Sequence, residues 1–305
     1  MNKCRKEVIK NKPLISLILV TMNRKELLKR CLESILLQKF ADYEIIVVDN
    51  ASDDGTGDMV QSLFPGVRYF YLSNNLGPPG GRNYGVRMAA GEFCVFLDDD
   101  AIFADDNVLS RVVSYFRSYS DLGCIAFRIV KPSDGCEEYK SIPRADKKII
   151  HEDYECSYFS AAGFSCRRNL FLELGMWELL FFIGEEPDFS YRLINKGYKI
   201  VRSSAISVIH YETLLARVPG KWIYFGMRSR FWIAWRNLPW RYAVSHTFLW
   251  WGYYFILSLR NRHLIYFMQG LKDALIGFPK ALESRVCLSR ETMNKLKKLS
   301  GRVYY

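Results

Sequence analysis

The sequence predicts an α/β protein in which helices flank a mostly parallel sheet. Short apolar runs of strand length alternate with segments whose apolar residues recur at helical spacing, and three of these runs end in polar residues: Thr21, Asp49-Asn50 and Asp98-Asp99-Asp100. Such alternation is typical of parallel sheets with crossover helices. Ligands of these sheets bind beyond the carboxyl ends of the strands, so we expect the three polar ends to share one site.

The elements follow in order along the chain. Each expected strand is a continuous apolar run, and each expected helix repeats apolar residues every three or four positions. Strands are predicted at 14–20, 43–48, 67–72, 93–97 and 198–201, and a further apolar run lies at 206–209. Helices are predicted at 24–38, 56–64 and 80–90, and from about 187 to 196. The glycine-rich 77–81 lacks both nucleotide-binding fingerprints and is interpreted as a tight turn that delivers Arg82.

The acidic triplet after the fourth strand has two interpretations. Three adjacent carboxylates repel one another, and a divalent cation such as Mg²⁺ or Mn²⁺ would hold them together through hard oxygen ligands. Alternatively, Asp98 or Asp100 caps a helix that begins near Asp105. The triplet alone does not choose between a metal site and a cap.

A second acidic pair, Glu185-Glu186, precedes Pro187, a residue suited to the first turn of a helix. The helix dipole favours ionised carboxylates there, so one of the pair could serve as a general base. Ordinary helix capping is the alternative. His210 follows an apolar run, where it is either a core histidine or a ligand for a metal or a phosphate.

Charge and composition suggest partners. The 305 residues carry 43 Lys and Arg against 32 Asp and Glu, a net charge of +11, which suits nucleic acid, anionic membrane or phosphorylated substrates. Segment 217–241 mixes arginines with tryptophans, as membrane interfaces do. Segment 242–259 is almost uncharged and borderline for a membrane span, and basic residues on both sides favour an interfacial or partly buried hairpin. No nucleic-acid reader motif is recognised, so no nucleic-acid partner is expected.

The cysteine pattern and the first twelve residues favour a cytosolic location. Eight cysteines form no C-x-x-C pair, which argues against a zinc site or a disulfide framework and for a reducing cytosol. The basic segment 1–12 lacks the apolar core of a signal peptide.

The ordered motifs resemble family 2 glycosyltransferases, and within them the rhamnosyltransferase-like branch. The resemblance covers Pro13 to Thr213 and rests on segments 20–24, 47–56, 81–85, 97–100 and 184–188 together with His210. It implies a GT-A fold and inverting transfer of a sugar from a nucleotide diphosphate donor. Asn50 stands where many members have a second Asp, which leaves the nucleotide base open.

The resemblance also implies roles for individual residues. It implies a catalytic base at Glu186, with Glu185 and Asp188 as alternatives because the family usually has an Asp at that position. It implies an Mn²⁺ or Mg²⁺ site at Asp98, Asp100 and His210. The expected donor-binding residues are Thr21, Arg24, Asp49, Asn50, Arg82, Asp98 and Asp99.

We therefore expect a basic tail at 1–12, a GT-A domain at 13–215 and a helical, membrane-associated region at 216–305. The expected function is transfer of a sugar to a hydroxyl of a lipid-linked glycan during O-antigen or capsule-type polysaccharide synthesis. The expected location is the cytoplasmic face of the inner membrane, as a peripheral or monotopic protein. The alternatives are a polyprenyl-phosphate sugar synthase and a non-catalytic membrane-binding module, and the oligomeric state is left open.

Overall fold

The computed structural model describes residues 12–178, 184–212 and 219–299, so the predicted basic tail lies outside it except for Lys12. The strands are β1 (Ile15–Thr21), β2 (Tyr43–Asp49), β3 (Arg68–Tyr71), β4 (Phe93–Asp98), β5 (Ala101–Phe103), β6 (Leu122–Val130), β7 (Tyr154–Glu155), β8 (Gly163–Arg167) and β9 (Lys199–His210). The α-helices are α1 (Lys25–Leu36), α2 (Thr56–Leu63), α3 (Gly77–Met88), α4 (Val108–Ser118), α5 (Arg168–Glu173), α6 (Glu185–Asn195), α7 (Lys221–Asn237), α8 (Trp240–Arg260), α9 (Leu264–Ile276), α10 (Phe278–Glu283) and α11 (Arg290–Lys298).

The strands form one mixed sheet. Their order is β3-β2-β1-β4-β8-β6-β9-β5, with β7 beside β9. Strands β1, β2, β3, β4, β6 and β9 run in one direction, and β5, β7 and β8 run in the other. The predicted α/β class with a mostly parallel sheet and flanking helices is confirmed, and the elements of the first half begin and end within a few residues of their predicted positions.

Three local predictions are wrong. Helix α3 begins at Gly77, so the glycines and prolines of 77–81 form its start and not a turn before it. Proline is tolerated there because the N–H groups of the first helical turn have no partner within the helix. The acidic triplet leads into strand β5 and caps no helix, because α4 begins later, after Asn107. The strand predicted at 198–201 is longer than expected, because β9 continues through the apolar run 206–209 to His210, with an irregular register against β6.

The C-terminal helices share a core with the sheet. Phe231 and Trp232 of α7 and Leu296 of α11 belong to the same buried cluster as Ile18 and Phe96 of the central strands. Helix α7 is buried over much of its surface. The part of the arginine and tryptophan tract that forms α7 is therefore largely packed against the protein, whereas Trp222 and Trp240 are exposed, and its contact with a membrane stays a prediction.

Many exposed apolar side chains lie on the two helices that follow α7. Helix α8 contains the uncharged segment 242–259 and turns through 261–263 into α9. Among the residues that the structure describes, no helix has the length and apolar character required to cross a bilayer. The large exposed apolar residues of α8 and α9 include Phe248, Leu249, Phe255, Ile256, Leu259, Ile265, Met268 and Ile276.

Candidate active site

The polar ends of β1, β2 and β4 converge, as the sequence predicts. Thr21 Oγ1 donates a hydrogen bond to Asp99 Oδ2 at 2.7 Å, and the backbone N of Asn50 donates to the carbonyl of Thr21 at 2.8 Å. These contacts join the three strand ends because β1 lies between β2 and β4. Hydrogen bonds therefore link the polar residues at the ends of these three strands into one group.

The middle acid of the triplet points into the protein. Asp99 accepts hydrogen bonds from Thr21 and from Arg24 Nη1, the latter at 2.9 Å, and Arg24 also reaches Asp100 Oδ2 at 3.1 Å. Burial raises the pKa of Asp99 to about 6, although Arg24 and Thr21 oppose that shift. Both oxygens of Asp99 are thus engaged internally, whereas Asp98 lines a cavity.

Asp49 and Asn50 shape the turn after β2. Asp49 accepts hydrogen bonds from the Ser52 backbone at 2.7 Å and from the Tyr69 hydroxyl at 2.6 Å. Asn50 donates to the carbonyl of Gly77 at 3.1 Å, which ties the turn to the start of α3. Both side chains are buried. The structure therefore shows a positioning role for each, and their contact with a nucleoside stays a prediction.

Helix α3 carries Arg82 to the centre of the site. A Cβ added at Gly85 would lie 2.5 Å from Ile18 Cγ2, so this glycine allows α3 to pack directly on β1. Arg82 is buried, its Nη2 donates to Asp98 Oδ1 at 2.6 Å, and its Nη1 lies 3.7 Å from Glu185 Oε1. A single guanidinium thus lies between the acidic triplet and the acidic pair of α6.

Asp98, Asp100 and His210 form a candidate metal site. Each offers one ligand atom, and these atoms lie within 4.8 Å of one another. The pairing of β5 with β9 sets Ala101 opposite His210, and His210 Nε2 lies 3.3 Å from Asp100 Oδ1. On the other side of the imidazole, Nδ1 lies 3.6 Å from Glu138 Oε2, an arrangement that orients a metal-binding histidine.

The charge of this cluster fits a cation. Burial alone would lower the pKa of His210, but hydrogen bonding to Asp100 and Glu138 raises it to about 10. Burial would raise the pKa of Glu138, yet His210 and Ser141 lower it to about 2. The imidazole therefore carries a proton where the surrounding carboxylates favour positive charge. Two carboxylates and an imidazole are also suitable ligands for a divalent ion, so the residues present fit the expected Mn²⁺ or Mg²⁺.

The acidic pair begins α6. Gly184 has φ 101°, a conformation that favours glycine, and Glu185 and Glu186 form the first turn. Burial raises the pKa of both carboxyl groups, and the negative charges of neighbouring acids raise it further. Glu185 is buried beside Arg82. Glu186 is half-buried, lies 3.4 Å from the backbone N of Ala161 and lines the cavity.

Asp188, the third candidate for the base, lies in a different environment. It is fully buried and accepts hydrogen bonds from Arg192 at 2.8 Å, Arg236 at 3.0 Å and Asn237 at 2.8 Å. These partners join α6 to α7. Asp188 is not among the residues that line the cavity.

Some of the predicted residues border a cavity of about 480 Å³, which we call the site cavity. Asp98, Glu186 and His210 line it. The sequence did not suggest Glu138 or Lys140, which follow β6 in a stretch without periodicity, and it assigned Arg230 to a membrane interface. The site cavity is also lined by Glu138, Lys140, Ser141, Tyr158, Ser160 and Arg230.

The protein has a nine-stranded sheet flanked by helices, an acidic triplet at the carboxyl edge of that sheet and an acidic pair at the start of α6. This arrangement defines the GT-A class of fold. The chain belongs to a family within that class. The model of "Glycosyl transferase family 2" matches residues 16–175, more than half of the chain.

Two curated relatives agree with this family. The chain is 34% identical over 174 residues to the GalNAc(5)-diNAcBac-PP-undecaprenol beta-1,3-glucosyltransferase of Campylobacter jejuni, a match that covers 53% of each protein. It is 32% identical over 100 residues to the putative teichuronic acid biosynthesis glycosyltransferase TuaG of Bacillus subtilis, covering 32% of this chain and 40% of TuaG. The chain therefore spans about half or less of the length of these relatives.

A solved structure shares the fold. The mannosyltransferase PcManGT of Pyrobaculum calidifontis, in complex with GDP-Man and Mn²⁺, superposes with a TM-score of 0.55 at 17% identity and covers 95% of this chain and 76% of its own. At this identity the likeness supports the architecture alone.

Proposed function

We propose that the protein is an inverting glycosyltransferase that moves a sugar from a nucleotide diphosphate donor to a hydroxyl of a lipid-linked glycan. The observation that carries this proposal is the meeting of Asp98, Glu186 and His210 around one cavity. Family membership supports the reaction class. The names of the two relatives refer to an undecaprenol-linked substrate and to teichuronic acid, and this supports a role in cell-surface polysaccharide synthesis.

The donor would bind along the polar edge of the sheet. Arg82 is a buried cation beside the acids, and pairing with a donor phosphate would satisfy its Nη1, for which the described residues provide no hydrogen-bond acceptor. We assign the remaining contacts with the nucleotide to Thr21, Arg24, Asp49, Asn50, Asp98 and Asp99.

Asp98, Asp100 and His210 would hold Mn²⁺ or Mg²⁺. When bound, the ion would stabilise negative charge on the departing nucleoside diphosphate. Mn²⁺ suits the set better because an imidazole is a softer ligand than the oxygens that Mg²⁺ prefers. Arg82 supports the same charge from the protein side.

Glu186 would take the proton of the attacking hydroxyl. Burial raises its pKa, which brings a carboxylate closer to the basicity that proton transfer at neutral pH requires. A direct displacement inverts the anomeric carbon. Glu185 stays the alternative base, although its contact with Arg82 favours a role in placing that guanidinium.

The exposed apolar face of α8 and α9 supports attachment to one leaflet of a membrane, as a peripheral or monotopic protein. We place that attachment on the cytoplasmic face, where nucleotide sugars are made. Such a location would bring the site cavity close to an acceptor anchored in lipid.

The test separates donor binding from transfer. Thermal unfolding against UDP-, dTDP- and GDP-sugars, with and without Mn²⁺, should reveal one stabilising series, because a ligand at about 100 times its dissociation constant adds ~2.7 kcal/mol to the free energy of unfolding. Glu186→Gln should keep that stabilisation and lower turnover by ~10²–10⁴.

Glu185→Gln is the matched control, because it changes a neighbouring carboxyl group of the same helix turn. It should retain more transfer activity than Glu186→Gln. Full activity in Glu186→Gln would refute the assignment of the base. The absence of stabilisation by any nucleotide sugar would refute the function.

A further inference from the structure

Arg230 of α7 lies at the boundary between two cavities. The first is the site cavity. The second, of about 490 Å³, lies on the C-terminal helices, and we call it the aromatic groove. Arg230 lines both cavities. The aromatic groove is lined by Ala145, Trp222, Arg230, Leu249, Trp250, Tyr253 and Tyr254.

The guanidinium of Arg230 contacts aromatic residues and forms no ion pair with an acid among the described residues. Its guanidinium lies 3.5 Å from the centre of the Trp250 ring, and its Nε is 3.3 Å from the hydroxyl of Tyr254. Within the described part of the chain, no carboxylate forms an ion pair with it. Arg236 of the same helix, by contrast, pairs with Asp188 and Glu178. A half-buried guanidinium without a carboxylate is well suited to bind phosphate.

The outer part of the aromatic groove is apolar and opens to the surface. Trp222, Leu249 and Tyr253 are 45%, 54% and 51% exposed. Leu249 and Tyr253 belong to α8, which also exposes Phe248 and Ile256. The groove thus joins the apolar surface proposed above to face the membrane. A ligand that fits it has an anionic group at the Arg230 end and a hydrocarbon chain that leaves along α8.

We propose that Arg230 binds the phosphate groups of the lipid-linked acceptor and that the aromatic groove holds the first units of its hydrocarbon chain. This inference rests on the proposed function. It explains how the acceptor is oriented: with the phosphates at the boundary, the sugar beyond them enters the site cavity, where Glu186 lies. Arg230 is then a binding residue for the acceptor and has no contact with the donor.

Direct binding is tested with three probes: farnesyl diphosphate, farnesol and inorganic diphosphate. The full-length protein is titrated in EDTA, and tryptophan fluorescence reports occupation of the groove through Trp222 and Trp250. Farnesyl diphosphate should bind at least about tenfold more tightly than either other probe. Arg230→Gln should remove about tenfold of that affinity, ~1.4 kcal/mol, and leave farnesol binding unchanged.

Two further variants act as controls. Arg230→Lys keeps the charge and should restore part of the affinity. Arg228→Gln removes another arginine of α7 that stacks on aromatic rings and lies near a tyrosine hydroxyl, but Arg228 lines neither cavity, so farnesyl diphosphate affinity should be unchanged. The inference is overturned if Arg230→Gln binds farnesyl diphosphate like the wild type, if Arg228→Gln loses as much affinity, or if inorganic diphosphate binds equally well.

Kinetics distinguish this inference from the proposed function. Arg230→Gln should raise the KM for a lipid-linked acceptor about tenfold and leave both the KM for the donor and the donor-dependent thermal stabilisation unchanged. Intact donor stabilisation with an unchanged acceptor KM would overturn the acceptor site alone. If no nucleotide sugar stabilises the wild type against thermal unfolding, the proposed function is overturned.

Discussion

Replacing Asp188 with Asn should destabilise the protein strongly without removing a group from the site cavity. The carboxylate is fully buried and binds Arg192, Arg236 and Asn237, and these contacts hold α6 against α7. Asn has nearly the same volume but no charge. The variant would therefore remove the negative charge that Arg192 and Arg236 share. Among the described residues, Arg236 would keep only Glu178, at 3.3 Å, as an ion-pair partner.

The magnitude follows from burial. Breaking a buried ion pair by removing one partner costs ~3–5 kcal/mol. With an unfolding entropy of ~2.1 cal/mol/K per residue, a chain of 305 residues has ~640 cal/mol/K, so this loss should lower the melting temperature by ~5–8 °C. The measurement is thermal unfolding at a fixed scan rate in one detergent.

Asp121→Asn serves as the matched control. Its carboxylate pairs with Lys199 on the surface, where both side chains are about half exposed, so its loss should leave the melting temperature unchanged. Transfer by Asp188→Asn, measured well below its melting temperature, should persist. An Asp188→Asn protein that melts like the wild type and has lost transfer would show that Asp188 acts in the reaction, and our structural assignment would be refuted.

Other consequences can be checked with single variants. Gly184→Ala should lower stability by ~1–2 kcal/mol, seen as a lower melting temperature, because φ is 101° and the new Cβ would lie 2.7 Å from Ile233 Cδ1; an unchanged melting temperature would contradict this. Gly85→Ala should weaken donor-dependent stabilisation, because its Cβ would meet Ile18 at 2.5 Å and displace α3 with the arginine that it carries; wild-type donor affinity would argue against that packing. Since the raised pKa of His210, about 10, exceeds its usual 6.5, its protonation stabilises the metal-free fold below pH 6.5 and this stabilisation is lost as the pH rises toward 10. Calorimetric Mn²⁺ affinity should accordingly increase with pH across that window and become nearly independent of pH in His210→Gln, whereas a flat wild-type profile would refute His210 as a ligand.

The sequence predicted the parts of the site that depend on local pattern. Strand-like runs that end at Thr21, Asp49 and Asp98 give the carboxyl edge, because alternation with helices determines strand direction. Strand β5 escaped prediction because its three residues become a strand only by pairing with β9, more than a hundred positions later. The contact between Glu138 and His210 also escaped prediction, because the two residues are far apart in the sequence and meet only in the folded protein.

Burial of individual side chains was the other feature that the sequence could not show. Arginines mixed with tryptophans have the same composition in a membrane interface and in a packed helix, so the sequence of α7 could not show which neighbours it would have. The structure buries Phe231, Trp232 and Arg236 against the rest of the protein. Asp188 shows the same effect: its spacing after Glu186 resembles an acidic motif, but its partners Arg236 and Asn237 lie on a different helix.

The pairing of β5 with β9 has a consequence for how this enzyme scaffold can change. The backbone N of Tyr211 donates to the carbonyl of Asp100 at 2.8 Å, and Ala101 is in register with His210, so backbone pairing fixes the distance between Asp100 and His210. Segment 131–153 contributes Glu138 and Lys140 to the site cavity and lies outside this pairing, so apart from Glu138, which contacts His210, it can vary without changing the distance between Asp100 and His210. Under the function proposed above, changes in that segment would alter the acceptor side of the site cavity and leave the candidate metal site in place.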